Sequence, residues 1–583
     1  MNKIKKLTAL MIAVFSLFTY ASCGGKVTES IDKTKKQIYI QIYNGGYGVD
    51  WINPVVEEFE ADYPQYQIVL DPKKLSCQEI ETYINVGTEY CAFLGYMPDF
   101  HQGMYAGLFA DLSDMLEMDV DGNGVTIGDK MLNKEMWLQA TTISDKCYAL
   151  PYGDSITGFV YDHDSFVSRN LLYYAENTTE VTTALTEQGI SYHVDGDKLV
   201  FDSATGRVNY ESGDYILRAG KDGKYGTYDD GQPITESEFH AMVEALSTPQ
   251  NSHAFIYSGK VIDYTTDIFT GVFAHYEGAD NYNIFNSYDG EYTFAGDSQP
   301  TTITPQNGYL VYGMDGIQKG FEFYNKYFFD ENYTHAQSFI SESSHTDAQS
   351  YFLLGSAMTS ASNPFAGMLV DGVYWEYEAR TISQMLEKRN YKDYAYGKRD
   401  FRYMLYPDFE GQKDLSKSTM VARDTSSFVI NGKMDEELTR MTKLFCAYTL
   451  KDKFLRHFTT TNGAVRPYQY TLTEEDRAKM TKFANTCYDI YRDTENISIA
   501  RPWLGLYSTP MSWATTKGTT NMYYSLIDDL SRGGIYSTLT AARSSINPSV
   551  ASNPAKAASE GMLKYYQSNW GAYYDAYNEF VSR

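Results

Sequence analysis

One short acidic run has the residue types and spacing for metal chemistry. Asp119, Asp121 and Asn123 place side-chain oxygens at positions one, three and five of a loop, and Gly124 follows at six. That arrangement can wrap oxygen ligands around a calcium ion, with the glycine allowing the sharp turn. Asp129 falls at position eleven, where the pattern asks for a Glu at twelve. Structural calcium is therefore one expectation and a tight Asp/Gly turn the other, and no other cofactor is called for. Asp222, Asp229 and Asp230 form a second, weaker acidic candidate. The nine histidines make no ligand-spaced pair, and HExxH, GxSxG and Walker loops do not occur. A glycoside hydrolase needs only two carboxylates, which no short motif reveals, so that activity stays open.

Other groups suit binding. Tyrosine is in excess, at 53 residues, and pairs a flat apolar face with a hydroxyl. Sugar rings present that combination of C–H faces and hydroxyls. Peptides suit abundant aromatics as well, so a peptide-binding lipoprotein is a further alternative. The formal charge of −26 becomes −29 once Lys3, Lys5 and Lys6 are removed with a leader. Such a surface argues against nucleic acid and anionic lipid as partners.

The first 25 residues carry an address. Lys3, Lys5 and Lys6 precede an apolar run from Leu7 to Phe18, then Ala21-Ser22-Cys23-Gly24-Gly25. A basic start, a short greasy core and small residues before a cut site make an export signal. The run falls short of the roughly 20 residues needed to span a bilayer. The segment around Cys23 resembles the lipobox of bacterial lipoproteins, with Tyr20 where Leu is usual. That resemblance implies cleavage after residue 22, lipidation of Cys23, and a protein on the outer face of the cell membrane. Residues 23–36 then serve as a tether, and the lipid is the sole membrane contact.

Elements that would position a site follow. Residues 37–43 alternate and are β-rich, so they read as a strand. They end in Asn44-Gly45-Gly46-Tyr47-Gly48, a loop. Val55, Val56, Phe59 and Tyr63 recur at helical spacing, and 66–70 is a second strand. A β–loop–α–β opening predicts parallel strands with ligands near the strand ends. Residues 173–235 are polar and Asp/Gly-rich, with a hairpin expected at Val194-Asp195-Gly196-Asp197. A further hairpin turn is expected at Tyr288-Asp289-Gly290-Glu291, and mostly helix after 430. The odd, irregularly spaced cysteines predict buried free thiols, with Cys77–Cys91 the pair that could bridge.

Several segments, in order, resemble the extracellular solute-binding proteins of ABC transporters, the carbohydrate-type family 1 that includes maltose-binding protein. They are Met97-Pro98-Asp99-Phe100 with Ala106 to Leu112, Lys146 to Tyr152, and Gly158 to Asp162. They continue through Phe352 to Met358, Asp371 to Trp375, Phe401 to Pro407, Leu444 to Tyr448, Thr461 to Pro467, and Pro510-Met511-Ser512-Trp513. Residues 359–370 and the Val373-Tyr374 pair depart from the family pattern.

The resemblance implies an α/β, two-lobe periplasmic-binding-protein-like fold, with a ligand cleft between lobes and an inserted β-rich subdomain. One lobe would be 37–146 plus 408–457, and the other 147–407 plus 458–583. It implies a non-enzymatic monomer that captures an oligosaccharide and passes it to ABC permease subunits. Asp99, His101 and Asp154 would accept or donate hydroxyl bonds. Trp375 and Trp513, with Trp503 as a third, would stack on sugar rings. Tyr43, Asn44, Tyr47, Asp50 and Trp51 would face the cleft from the first strand–helix junction.

Overall fold

The computed structural model describes residues 30–581 except 47, 96–100, 203–212, 262, 330, 423–425, 503 and 505–533. Cys23, Tyr47, Asp99, Trp503 and Trp513 lie outside the described residues.

Two sheets organise the chain. The first contains strands Tyr66–Lys73, Lys36–Tyr43, Tyr90–Leu94, Ser426–Ile430 and Leu150–Gly153, in that spatial order. Its first three strands run parallel, and the last two pair antiparallel. Ile38, Ile40 and Ile42 are all fully buried, which anchors the opening strand in the core. Asn53-Pro54 then starts the helix Asn53–Asp62, where proline's missing N–H has no intrahelical partner to lose. Helix Cys77–Val86 is framed by a Ser76/Glu79 capping box and by Gly87 in the left-handed region.

The second sheet is built around Ile156–Asp162, whose seven residues are all buried. Phe365–Gly372 pairs with one edge of it. Phe401–Met404 and Ser418–Ala422 pair with the other. Ser252–Ile256 and Ile497–Ala500 complete the sheet. Sheet membership puts the first crossing between Gly153 and Ile156, a few residues later than expected. The second falls between Ala422 and Ser426, some fifteen residues beyond the boundary expected near 407. Helix Lys482–Arg492 gives Phe483 to the second lobe, so the chain crosses a third time after helix Asp452–Asn462.

The insert holds the expected hairpin. Strands Tyr192–Asp195 and Lys198–Phe201 pair across a turn whose Gly196 has φ 63°. Helix Thr179–Glu187 accompanies them, so the insert is mixed rather than purely β. Gln232 closes it onto the second sheet. Its Nε2 donates to the Tyr403 carbonyl at 2.8 Å, and its Oε1 accepts from the Leu405 N–H at 2.8 Å.

The expected turn at 288–291 is a correction. Tyr288 is the left-handed cap of helix Ala279–Ser287, and the hairpin strands that follow are Gly290–Tyr292 and Thr301–Ile303. After 430 the described chain is mostly helical and ends in helix Pro554–Val581. That helix stacks Tyr566 on Tyr312 at 3.6 Å and donates Trp570 Nε1 to the Pro305 carbonyl. Cys77, Cys91, Cys147, Cys446 and Cys487 are buried, and no disulfide joins any of them to another. No helix among the described residues is long and apolar enough to cross a membrane.

Candidate functional site

The lobes meet where the first strand of one sheet and the long second-sheet strand Phe365–Gly372 end. After Tyr43, the chain turns through Gly46 and Gly48, which have φ 39° and 65°. L side chains rarely adopt such values, so glycine is the natural occupant. Opposite lie Tyr374 and Tyr377, which follow Phe365–Gly372. A Cβ on Gly46 would stand 2.6 Å from the Tyr374 Cβ, and one on Gly48 would stand 2.7 Å from the Tyr377 hydroxyl oxygen. Backbone of one lobe thus rests directly on rings of the other. Gly95, at the end of Tyr90–Leu94, is hemmed by Tyr152 and Tyr43 at 3.0 Å from its would-be Cβ. Glycine backbone and tyrosine rings therefore line this junction.

Tyr43 and Asn44 are partly exposed at the seam, and Lys74 lies over the Tyr43 ring at 5.6 Å. Asp50 opens the single turn Asp50–Ile52. His101 begins the short helix His101–Tyr105.

Three expected contacts are corrected. Trp51 is fully buried, edge-on to Phe458 at 5.0 Å and tilted against Tyr152 at 6.0 Å. Arg466, itself fully buried, lies 4.8 Å from the Tyr152 ring and 5.6 Å from that of Trp51. Trp51 is thus a wall of the first-lobe core. Trp375 is likewise 0% exposed, with Phe352, Phe401 and Phe483 edge-on around it at 4.9–5.7 Å. The pair that reaches the cleft is its neighbours, Tyr374 and Tyr377. Asp154 is 1% exposed and bound by Arg501, whose Nε and Nη2 donate to Oδ2 at 2.9 and 2.7 Å. It pins the first crossing instead of offering an open carboxylate.

The acidic loop at 119–129 is held by contacts of its own. Asp119 accepts the Asn123 and Gly124 N–H groups at 3.2 and 2.7 Å. Asp129 closes a capping box with Thr126. Asp121 takes the ammonium of buried Lys130, which also reaches Asp452 at 2.6 Å. Among the described residues, the carboxylates of Asp119, Asp121 and Asp129 do not gather within ligand distance of one another. Lys130 thus brings one positive charge to this loop. In the second acidic loop, Thr227 Oγ1 donates toward Asp229 and Asp230 at 2.9 and 3.1 Å. Burial, then the charges of Asp222 and Asp230, push the Asp229 carboxyl up to about 7.

Among the described residues, His163, Asp164 and Asp400 do converge. Asp400 is bound there by Arg402 at 2.9 Å, and Asp164 is faced by Arg399 at 3.6 Å. These guanidinium groups already neutralise the cluster.

Behind Tyr374 and Tyr377 lies a buried polar knot. Gln349 Nε2 donates to Asp371 Oδ2 at 3.1 Å and to Glu378 Oε2 at 2.9 Å. Asp371 Oδ1 accepts its own lobe's Gly372 N–H at 2.8 Å. Burial raises the Asp371 carboxyl well above its ordinary range, and the Glu378 charge adds to this. Nearby, Glu376 is pushed up to about 7 by burial and holds a hydrogen bond from Thr481 at 2.5 Å. Sequence pattern gave no sign of the knot, because its partners are 22 and 29 residues apart.

No protein-family model matches the chain, and no curated protein does. Solved structures do. A chitin oligosaccharide binding protein superposes with a TM-score of 0.51 at 14% identity, over 92% of this chain and 99% of that one. A probable secreted solute-binding lipoprotein from Streptomyces coelicolor gives 0.50 at 11% identity, over 90% and 99%. At these identities the likeness establishes the fold, the two-lobe α/β architecture of solute-binding proteins.

Proposed function

We propose that this protein is a lipid-anchored receptor on the outer face of the cell membrane that captures an oligosaccharide and hands it to an ABC importer. One observation carries the reading. The loop after the first strand closes glycine backbone onto Tyr374 and Tyr377 across a two-lobe seam. Peptide groups can bond hydroxyls there while rings cover the apolar faces of sugars. The fold it shares with a chitin oligosaccharide binding protein supports the same ligand class. Hinged lobes give such a receptor its open and closed states.

The proposed contacts are Tyr43, Asn44, Tyr47, Asp99, His101, Trp503 and Trp513 from the sequence, joined by Tyr374 and Tyr377. Trp513→Ala is expected to weaken binding at least tenfold, as loss of an aromatic anchor commonly costs about 2–4 kcal/mol. Permease subunits are the protein partners, and the receptor acts as a monomer.

Titration calorimetry with chitin oligosaccharides and then other neutral oligosaccharides tests the reading. Saturable binding, with the sugar recovered intact after long incubation, supports it. Cleaved product at a rate above background would favour a hydrolase, and silence across the sugars with heat from peptides would favour a peptide receptor. Cys23→Ala in a native-like host should leave the membrane fraction; equal retention would remove the anchor.

A further inference from the structure

The polar knot behind the cleft has an unusual composition. Two carboxylates, Asp371 and Glu378, share one amide donor, Gln349 Nε2, so the accepting oxygens lie within about 6 Å of each other. Asp371 is 1% exposed and Gln349 fully buried. Gln349 Oε1 is buried with no hydrogen-bond partner. Every element packed here adds its own charge. Asp267, 6% exposed on helix Asp263–Glu277, acts on Asp371 with the same sign. His345, on the helix that carries Gln349, stands 3.9 Å from Glu378. Asp347 of that helix is spent on its cap with Ser344. Glu376 is turned to Thr481, and Arg380 lies over the Tyr377 ring at 4.1 Å.

Two buried carboxylates facing one amide have a simple remedy. Placing a proton on Asp371 removes one of the two facing charges, while its remaining acceptor capacity lets Gln349 Nε2 go on donating to both acids. With both acids ionised, two negative charges face each other across one amide in a low-dielectric setting, which is costly. Glu378 is the member able to give way, because its side chain is 17% exposed. It belongs to the short helix Trp375–Glu378, which carries Tyr377 against Gly48 and follows Tyr374 against Gly46.

We propose that Asp371, Gln349 and Glu378 form a proton-operated latch on lobe closure, holding Tyr374 and Tyr377 forward when Asp371 carries a proton and releasing them when it ionises beside Glu378. The latch stands on the contact across the lobes and does not depend on which ligand the cleft takes.

Small-angle scattering of the unliganded protein from about pH 5 to about pH 8 tests it. The radius of gyration of the wild type should increase as pH rises. Asp371→Asn, which cannot ionise, should stay compact throughout. Glu378→Gln, at a partly exposed position that tolerates change, should behave the same way and serves if Asp371→Asn does not fold. A wild-type radius independent of pH would overturn the latch, as would an expansion that persists in Glu378→Gln or in folded Asp371→Asn. Neither outcome bears on sugar binding, which calorimetry reads separately.

Discussion

Gly46 of the first lobe lies against Tyr374 of the second so closely that a Cβ would stand 2.6 Å from the tyrosine's own Cβ. The contact needs both the missing side chain and the positive φ of residue 46. Gly46→Val should therefore obstruct closure. We expect oligosaccharide affinity to fall at least tenfold, and scattering with ligand to show no contraction. Retained affinity would mean that the lobes close along another path.

Tyr374 and Trp375 are adjacent but should separate cleanly on mutation. Trp375→Ala removes a fully buried indole from a ring of three phenylalanines and should cost about 3–5 kcal/mol in denaturant unfolding. Tyr374→Ala should leave unfolding nearly unchanged and weaken ligand binding. The reverse assignment of effects would put the indole back in the cleft.

The Asp154–Arg501 pair is buried at the first crossing. Arg501→Met leaves a buried carboxylate without its cation, which commonly costs about 3–5 kcal/mol. Chemical denaturation reads this directly, and a loss below about 1 kcal/mol would show that the crossing does not depend on the pair.

Asp121 serves Lys130 in the acidic loop. Asp121→Ala should lower the melting temperature equally with and without a chelator, by a cost of about 1–3 kcal/mol. A chelator effect on the wild type that the variant lacks would restore calcium to the loop.

Glu376 supplies a pH signature. Its folded carboxyl is pushed up to about 7 by burial, above the unfolded range. A raised carboxyl favours the folded state at low pH, and that contribution is lost as pH rises through about 7. The wild type should lose stability on the order of 3 kcal/mol between the unfolded and folded values. Glu376→Gln should flatten that slope and melt higher than the wild type at pH above 7. A slope unchanged by the substitution would place its origin in other acids.

The sequence reads well where a residue's role depends on near neighbours. The alternation of Ile38, Ile40 and Ile42 marks the strand, and Gly196 within its flanking strands marks the insert hairpin. It reads poorly where the role depends on rotation or on a distant partner. Successive helix positions differ by about 100° in direction, so one step decides whether Tyr374 or Trp375 meets the cleft. Asp154 is taken by Arg501 from 347 residues away. Lys130 sits only nine residues beyond Asp121, but its burial depends on the distant Asp452. A local motif search sees the oxygens of that loop and not the ammonium that answers them.

The cysteines have a practical consequence. All five in the described chain are buried and joined by no disulfide, and burial raises the thiols of Cys91, Cys147, Cys446 and Cys487 above their ordinary range. Thiols held neutral and out of reach are poor nucleophiles. Val194, in contrast, is half exposed on the insert hairpin, and Gln232 bonds the insert to the second sheet. A cysteine placed at 194, with another at exposed Val86 of the first lobe, would accept a dye pair with little background from the native thiols. The sheltered interior thiols thus make the protein a ready optical ruler for the distance between its own halves.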